Sequence, residues 1–242
     1  MEEGTLRTAL AEDLLGLALL HSEELDAERL GALRTAAFPL GLALRLETAE
    51  GREAVELCVQ GLEDIPLSAD PSTLDILAAE FADIYLNHTY QASPCESVWI
   101  DDEGLTMQEP MFQVRDWYRR HGFSVPDWRK RTDDHLVCQL HFIALALQEG
   151  VAWDEIARFM DEHLLRWIGG FAGRVRERAA TRFYGGLALL TAAWLEEFRT
   201  LLEEITGEVR PTTEEIDRRM RPVREVPVAA PGPYVPGATP SW

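Results

Sequence analysis

Residues 131–150 read RTDDHLVCQLHFIALALQEG, and the fold turns on how this stretch is read. From Asp133 onward, Leu136, Leu140, Ile143 and Leu147 recur at helical spacing on one face, until Gly150 ends the run. Thr132 is a favoured N-cap type, and Asp133 and Asp134 fall where the dipole of a helix favours negative charge. The expectation is a helix capped by Thr132 with both aspartates in its first turn. The histidines do not form a metal pair. His135 and His141 stand six positions apart, about 600° around a helix, so their rings point to different sides. His163, at the head of HLLRW, has no second ligand at helical spacing. No metal site is expected.

The same period repeats outward from this stretch. Leu6, Leu10, Leu14, Leu17 and Leu20 share one face of residues 5–21. Residues 26–46 follow with Leu30, Leu33, Ala37 and Leu44, and Pro39 breaks or kinks that run. Ser72 with Asp75 reads as a capping box opening a helix to about residue 88. Residues 107–122 form a further helix ended by Gly122. Two more helical runs, at 153–168 and 181–205, place Ile156, Phe159, Met160 and Trp167, and then Phe183, Leu187 and Trp194, on single faces. No segment alternates as a strand does. The fold class is therefore all-α, a single bundle of seven or more helices. Residues 1–210 are assigned to this bundle. Residues 211–242 are assigned to a short helix, opened by a capping box of Thr212 and Glu215, and a Pro/Gly-rich tail, disordered or extended, beyond Arg221.

Composition narrows the function classes. A net charge of −19 argues against a nucleic-acid partner, which needs a basic surface, and favours basic partners. Cys58, Cys95 and Cys138 are isolated and odd in number, which points to buried, inert thiols. No apolar run approaches the roughly 18–20 residues of a membrane span. The N-terminal stretch starts acidic and carries Glu12 and Asp13 in its apolar run, so it reads as an amphipathic helix and the chain as cytoplasmic. No nucleophile elbow, dinucleotide fingerprint or phosphate loop occurs, so catalysis is not indicated. A binding role remains. Its surface is the pair of connections 91–110 and 123–132, which frame the helix 107–122. They combine carboxylates with Trp99, Met107, Met111, Phe112, Phe123 and Trp128. Methionine and aromatic groups make an adaptable apolar groove, and carboxylates at its rim can pair with arginines.

The segments PCESVW (94–99), VRDWYRRHG (114–122), DDHLVCQLHF (133–142), EHLLRW (162–167) and RFY (182–184) follow one another at compact spacing. In this order they resemble the TorD/DmsD/NarJ family of redox-enzyme maturation chaperones, over roughly residues 5–205. The family's Glu-Pro-x-Asp-His hinge falls on Arg131, Thr132, Asp133, Asp134 and His135, with the Asp and the His kept and the Glu and Pro lost. Its Pro-Tyr-Glu-Ser-Val-Tyr falls on residues 94–99, where Pro94, Glu96, Ser97 and Val98 match.

The resemblance implies an all-α, non-catalytic chaperone with no cofactor of its own. Such a protein binds the twin-arginine signal peptide and the apo form of a molybdopterin oxidoreductase, and assists cofactor insertion before export. It leaves monomer and domain-swapped dimer both open. In this reading Glu96, Asp133 and Asp134 attract the basic peptide, with Ser97 beside them. Trp99, Met111, Trp117 and Tyr118 shape its apolar contact, and His135 orients the hinge. Reversing Asp133 and Asp134 to lysine would then alter salt dependence more than folding. Two rival readings stand beside it. One is an accessory subunit permanently bound to a cytoplasmic reductase, and the other is a helical protein that binds a small molecule.

Overall fold

The computed structural model describes residues 3–68, 70–87, 89–127 and 129–221. The chain divides after Arg210 into two compact units, which are described separately. No strand occurs among the described residues, and the only β-type pairing there is an isolated antiparallel bridge between Cys95 and His135. The fold is all-α.

The first unit begins with α1 (Glu3–Ser22), α2 (Ala27–Thr35), α3 (Ala49–Glu63) and α4 (Pro71–Tyr85). The single-turn helix α5 (Ser97–Ile100) interrupts the long connection to α6 (Glu109–Arg120), and α7 (Leu136–Gln148) follows. After α8 (Trp153–Glu162) a 3-10 turn (Leu164–Arg166) leads into α9 (Ile168–Arg178) and α10 (Arg182–Thr206). The second unit contains α11 (Thr213–Met220). There the expected capping box forms, with Thr212 and Glu215 each accepting the other's backbone N–H. The tail from residue 222 onward lies outside the described residues.

Two helices carry the core. Ten of the thirteen residues of α7 are buried, and Phe183, Leu187, Leu190, Trp194, Phe198 and Leu202 of α10 are all buried. α1 packs on α7, while α3 and α9 pack on α10. Several boundaries differ from the sequence reading. α2 stops at Thr35 and the chain turns through residues 36–41, so the expected run 26–46 is less than half helical. α4 is capped by Asp70, whose carboxylate accepts the Thr73 N–H at 2.9 Å, with Pro71 at the first helical position. Ser72 is not the cap, because its hydroxyl donates to Asp70 instead. Pro71 lacks the N–H that would be orphaned there, so Asp70 is the better entry point. α3 and α9 were not foreseen as separate helices. Small and polar residues dilute their apolar faces.

Glycines set the crossing of α3 and α10. A Cβ on Gly186 would lie 2.7 Å from the backbone nitrogen of Cys58, and one on Gly61 would lie 2.5 Å from that of Phe183. Both obstacles are backbone, which cannot rotate away. Gly186→Ala should therefore destabilise by about 1–3 kcal/mol through overpacking, against the gain of up to about 1 kcal/mol in helix propensity. Gly16→Ala, with open space around its Cβ position, should be neutral or stabilising by urea denaturation.

His21 is buried between α1, α4 and α10. Its Nδ1 lies 2.5 Å from the Tyr85 hydroxyl and its Nε2 lies 2.8 Å from Thr191 Oγ1. The Thr191 hydroxyl donates to the Leu187 carbonyl, so it accepts from Nε2–H and leaves Nδ1 to accept from Tyr85. Both nitrogens are satisfied only while the ring is neutral. Burial accordingly holds its pKa down at about 3. The unfolded chain takes up this proton near pH 6.5, so acid favours unfolding. The contribution is complete above pH 6.5 and erodes by about 1.4 kcal/mol per pH unit as pH falls toward 3. Asp13 and Asp161, raised by burial, act in the opposite sense. Comparison with His21→Gln isolates the ring. Urea titrations at about pH 7.5 and 5.5 should show the variant less stable at neutral pH but flatter with pH. Equal slopes in the two proteins would mean that the ring is not held neutral.

Candidate functional site

The segment 131–134 is not the opening of a helix. His135 N–H donates to the Thr132 carbonyl at 3.1 Å, which makes a turn. Across it, Glu96 N–H donates to the Asp134 carbonyl at 3.1 Å and Leu136 N–H to the Pro94 carbonyl at 2.7 Å. These two bonds clamp the segment 94–96 against 134–136 and pull Thr132 to Asp134 out of helical geometry. The N-cap of α7 is His135, whose Nδ1 accepts the Val137 N–H at 3.1 Å. The expected Thr132 cap is thus corrected. The Thr132 hydroxyl donates to Asp134 instead, at 2.5 Å.

Each acidic residue of this turn has a structural partner. Asp134 is fully buried, and its second oxygen accepts the Ser97 N–H at 2.8 Å, satisfying the start of α5 from across the chain. Asp133 is 6% exposed. One of its oxygens takes two bonds from Arg115, at 2.8 and 3.0 Å, and its carbonyl accepts the Tyr118 hydroxyl at 2.9 Å. Glu96 is also fully buried. It meets His163 Nδ1 at 3.0 Å through one oxygen and accepts from the Gln139 amide at 2.9 Å through the other. The same amide nitrogen donates to the Asp134 carbonyl at 3.0 Å, which joins the two carboxylate centres. The expectation of partly exposed carboxylates facing a cationic peptide does not fit this placement. Glu96, Asp133 and Asp134 hold the turn together from within.

Ser97 carries the turn's position outward. Its hydroxyl accepts the N–H of Gln108, the N-cap of α6, at 3.3 Å. Along one side of α6 lies an open recess of about 500 Å³. Its apolar lining is Met107, Met111, Phe112, Tyr118, Phe123 and Val125, and its charged lining is Arg115, Arg119 and Asp133. Met107 and Phe112 are 46% and 47% exposed, so the groove presents apolar surface to solvent. Of the residues singled out in the sequence, Met107, Met111, Phe112, Tyr118, Phe123 and Asp133 line this groove, and Trp128 lies outside the described residues. Trp117 does not line it. It packs edge-on against Phe159 and lies beneath the Arg120 guanidinium, 4.0 Å from its ring centre. Trp99 lies elsewhere too, donating to the Ser93 carbonyl and covering Gly170, with Arg174 over its ring. Glu96, Ser97, Asp134 and His135 form the layer that supports α5 and α6.

Burial fixes the chemistry of the neighbouring hydroxyl and thiols. The Tyr118 hydroxyl is pushed well above its usual range, first by desolvation and then by the acidic groups around it, so it remains a donor. Desolvation raises the Cys95 and Cys138 thiols to about 12, which leaves them protonated and unreactive. His163, Gln139 and Arg115 were not foreseen as parts of this centre. Their partners lie 67, 43 and 18 positions away, beyond any local pattern. A second recess, of about 490 Å³, is built from α2, α3 and the turns after them, and no expected site residue lines it.

Residues 48–173, just over half of the chain and including this whole centre, match the family model described as nitrate reductase delta subunit. The chain is 32% identical over 143 residues to the chaperone protein TorD of Vibrio cholerae (strain ATCC 39541 / Classical Ogawa 395 / O395), covering 54% of this chain and 64% of that one. It is 28% identical over 198 residues to TorD of Vibrio vulnificus YJ016, covering 76% and 90%. With TorD of Shewanella pealeana the figures are 29% over 196 residues, 77% and 86%. The chain thus spans just under two thirds of the length of the Vibrio cholerae relative. It belongs to the TorD/DmsD/NarJ family of redox-enzyme maturation chaperones.

Removing the Asp134 carboxylate strands the Ser97 N–H and the Thr132 hydroxyl. Asp134→Ala should therefore lower the unfolding free energy by about 1–3 kcal/mol, whereas Asp102→Ala, at an exposed position, should change it by less than about 0.5 kcal/mol. Chemical denaturation of both variants checks this. Equal effects would remove Asp134 from its structural place.

Proposed function

We propose that this protein is a cytoplasmic chaperone for a molybdopterin oxidoreductase. It binds the enzyme's twin-arginine signal peptide and its apo form, assists cofactor insertion, and releases the enzyme for export. The role is binding, without catalysis. The observation that carries this reading is the open apolar groove on α6, which lies inside the family-matched segment and is built from Met and Phe side chains on a rigid polar base. Methionine adapts to different apolar partners, which suits leader sequences that share hydrophobicity more than identity. The base is ordered before the client arrives, so little ordering entropy is added on binding. No helix among the described residues is long and apolar enough to cross a membrane, and no cluster of three or more metal-ligating side chains occurs there.

Magnitudes decide which part of a client matters most. An exposed guanidinium–carboxylate pair contributes only about 0.2–1 kcal/mol. Covering one Met or Phe side chain contributes about 1.5–3 kcal/mol. The apolar stretch of a leader should therefore supply most of its affinity. A synthetic leader peptide from a neighbouring molybdoenzyme should bind in calorimetry, more weakly as salt is added. Substituting lysine for both arginines should reduce affinity modestly, while removing the apolar stretch should nearly abolish binding. Phe112→Ser should also weaken binding by about tenfold without loss of fold, since Phe112 is nearly half exposed. A scrambled peptide of equal charge that binds equally well would show that only the chain's acidity is being measured, and the reading would fall.

A further inference from the structure

The charges around the groove are segregated. Residues 96–109 hold Glu96, Asp101, Asp102, Glu103 and Glu109 and no lysine or arginine. Residues 115–131 hold six arginines and lysines against two aspartates. The first segment leads into the N-terminal end of α6 and contributes Met107 to the groove, and the second begins on α6 and contributes Arg115 and Arg119. Glu96 is buried, and Asp101 is engaged by the backbone N–H groups of Glu103 and Leu105. Asp102, Glu103 and Glu109 remain exposed and lie within five positions of Met107 in the sequence. At the other end Arg115 is spent on Asp133, while the Arg119 side chain is 69% exposed and only loosely paired with Asp116 at 3.4 Å. From Glu109 to Arg119 the helix rises about 15 Å, so the two ends lie more than a Debye length apart at physiological ionic strength and act separately.

On the reading above, the occupant is a segment with a cationic head followed by an apolar run, the order of a leader peptide. We propose that the groove accepts it in one direction only. The arginine head lies at the Glu109 end, against Asp102, Glu103 and Glu109, and the apolar run extends along Met107, Met111 and Phe112 toward Arg119. In the reverse direction the head meets Arg119, and like charges at that distance oppose docking. Head-first docking runs the bound segment parallel to α6. A carboxylate following the apolar run is favoured, because it meets Arg119.

The test uses the full chain and two labelled peptides of identical composition, acetylated and amidated so that their ends carry no charge. One places two arginines before an apolar run of about ten residues, and the other places them after it in reversed sequence. Fluorescence anisotropy at low salt should show the first binding about five- to tenfold tighter, with the difference shrinking at about 0.5 M salt. Glu103→Lys with Glu109→Lys should erase the preference, and Arg119→Glu should strengthen the reversed peptide. All three substitutions fall at exposed positions, and circular dichroism verifies the fold. If both peptides bind equally at low salt, the orientation is overturned while the client-binding reading stands. If neither binds, both are overturned.

Discussion

The Asp134 carboxylate is the constraint on which the site rests. A buried carboxylate is costly unless its lone pairs are met, and here one oxygen takes a backbone N–H from α5 and the other takes a hydroxyl from its own turn. The Glu96 N–H on the Asp134 carbonyl and the Leu136 N–H on the Pro94 carbonyl lock the same two segments in register. Once that register is set, His135 has to cap α7, Glu96 has to point inward to Gln139 and His163, and Ser97 has to face Gln108. The groove on α6 inherits its position from this sequence of contacts. Such a centre is high-stakes, since breaking one member leaves others buried and unpaired.

Charge is divided between two tasks in this molecule. Its internal carboxylates organise polypeptide, each held by specific donors. Its external carboxylates are solvated and shape the field a partner meets on approach. An acidic motif by itself does not reveal which task a residue performs. In RTDDH the neighbouring residues give no sign that a second segment, some forty positions upstream, will cover it.

This sets the limit of what the sequence discloses. Helical class, the faces of α1, α7 and α10, and the groove residues Met107, Met111, Phe112 and Phe123 are legible because period and residue type are local properties. The Thr132 cap was misread because a local preference of about 1 kcal/mol loses to two cross-chain backbone bonds and a buried carboxylate. Ser72 was misread for a nearer reason, since Asp70 with Pro71 offers a better start two residues earlier. The order of the family motifs places Glu96 and Asp134 in one site, but their burial and their partners His163 and Gln139 are tertiary facts. Trp99 and Trp117 look alike in sequence, as aromatic residues beside the groove, and both are committed to other neighbours.

Ser97 anchors the segment 98–107 at both ends. Its backbone N–H is held by Asp134 and its hydroxyl receives the Gln108 N–H that opens α6. Between them Trp99 and Asp101 are held by contacts of their own, while residues 102–107 are exposed, apart from the backbone N–H groups of Glu103 and Leu105 on Asp101. Doubling the length of such a loop costs only about 0.6 kcal/mol of closure entropy. The length and side chains of this exposed stretch can therefore change at little cost to the helices beneath. The lip of the groove is in effect a replaceable insert, separable from the scaffold that holds it.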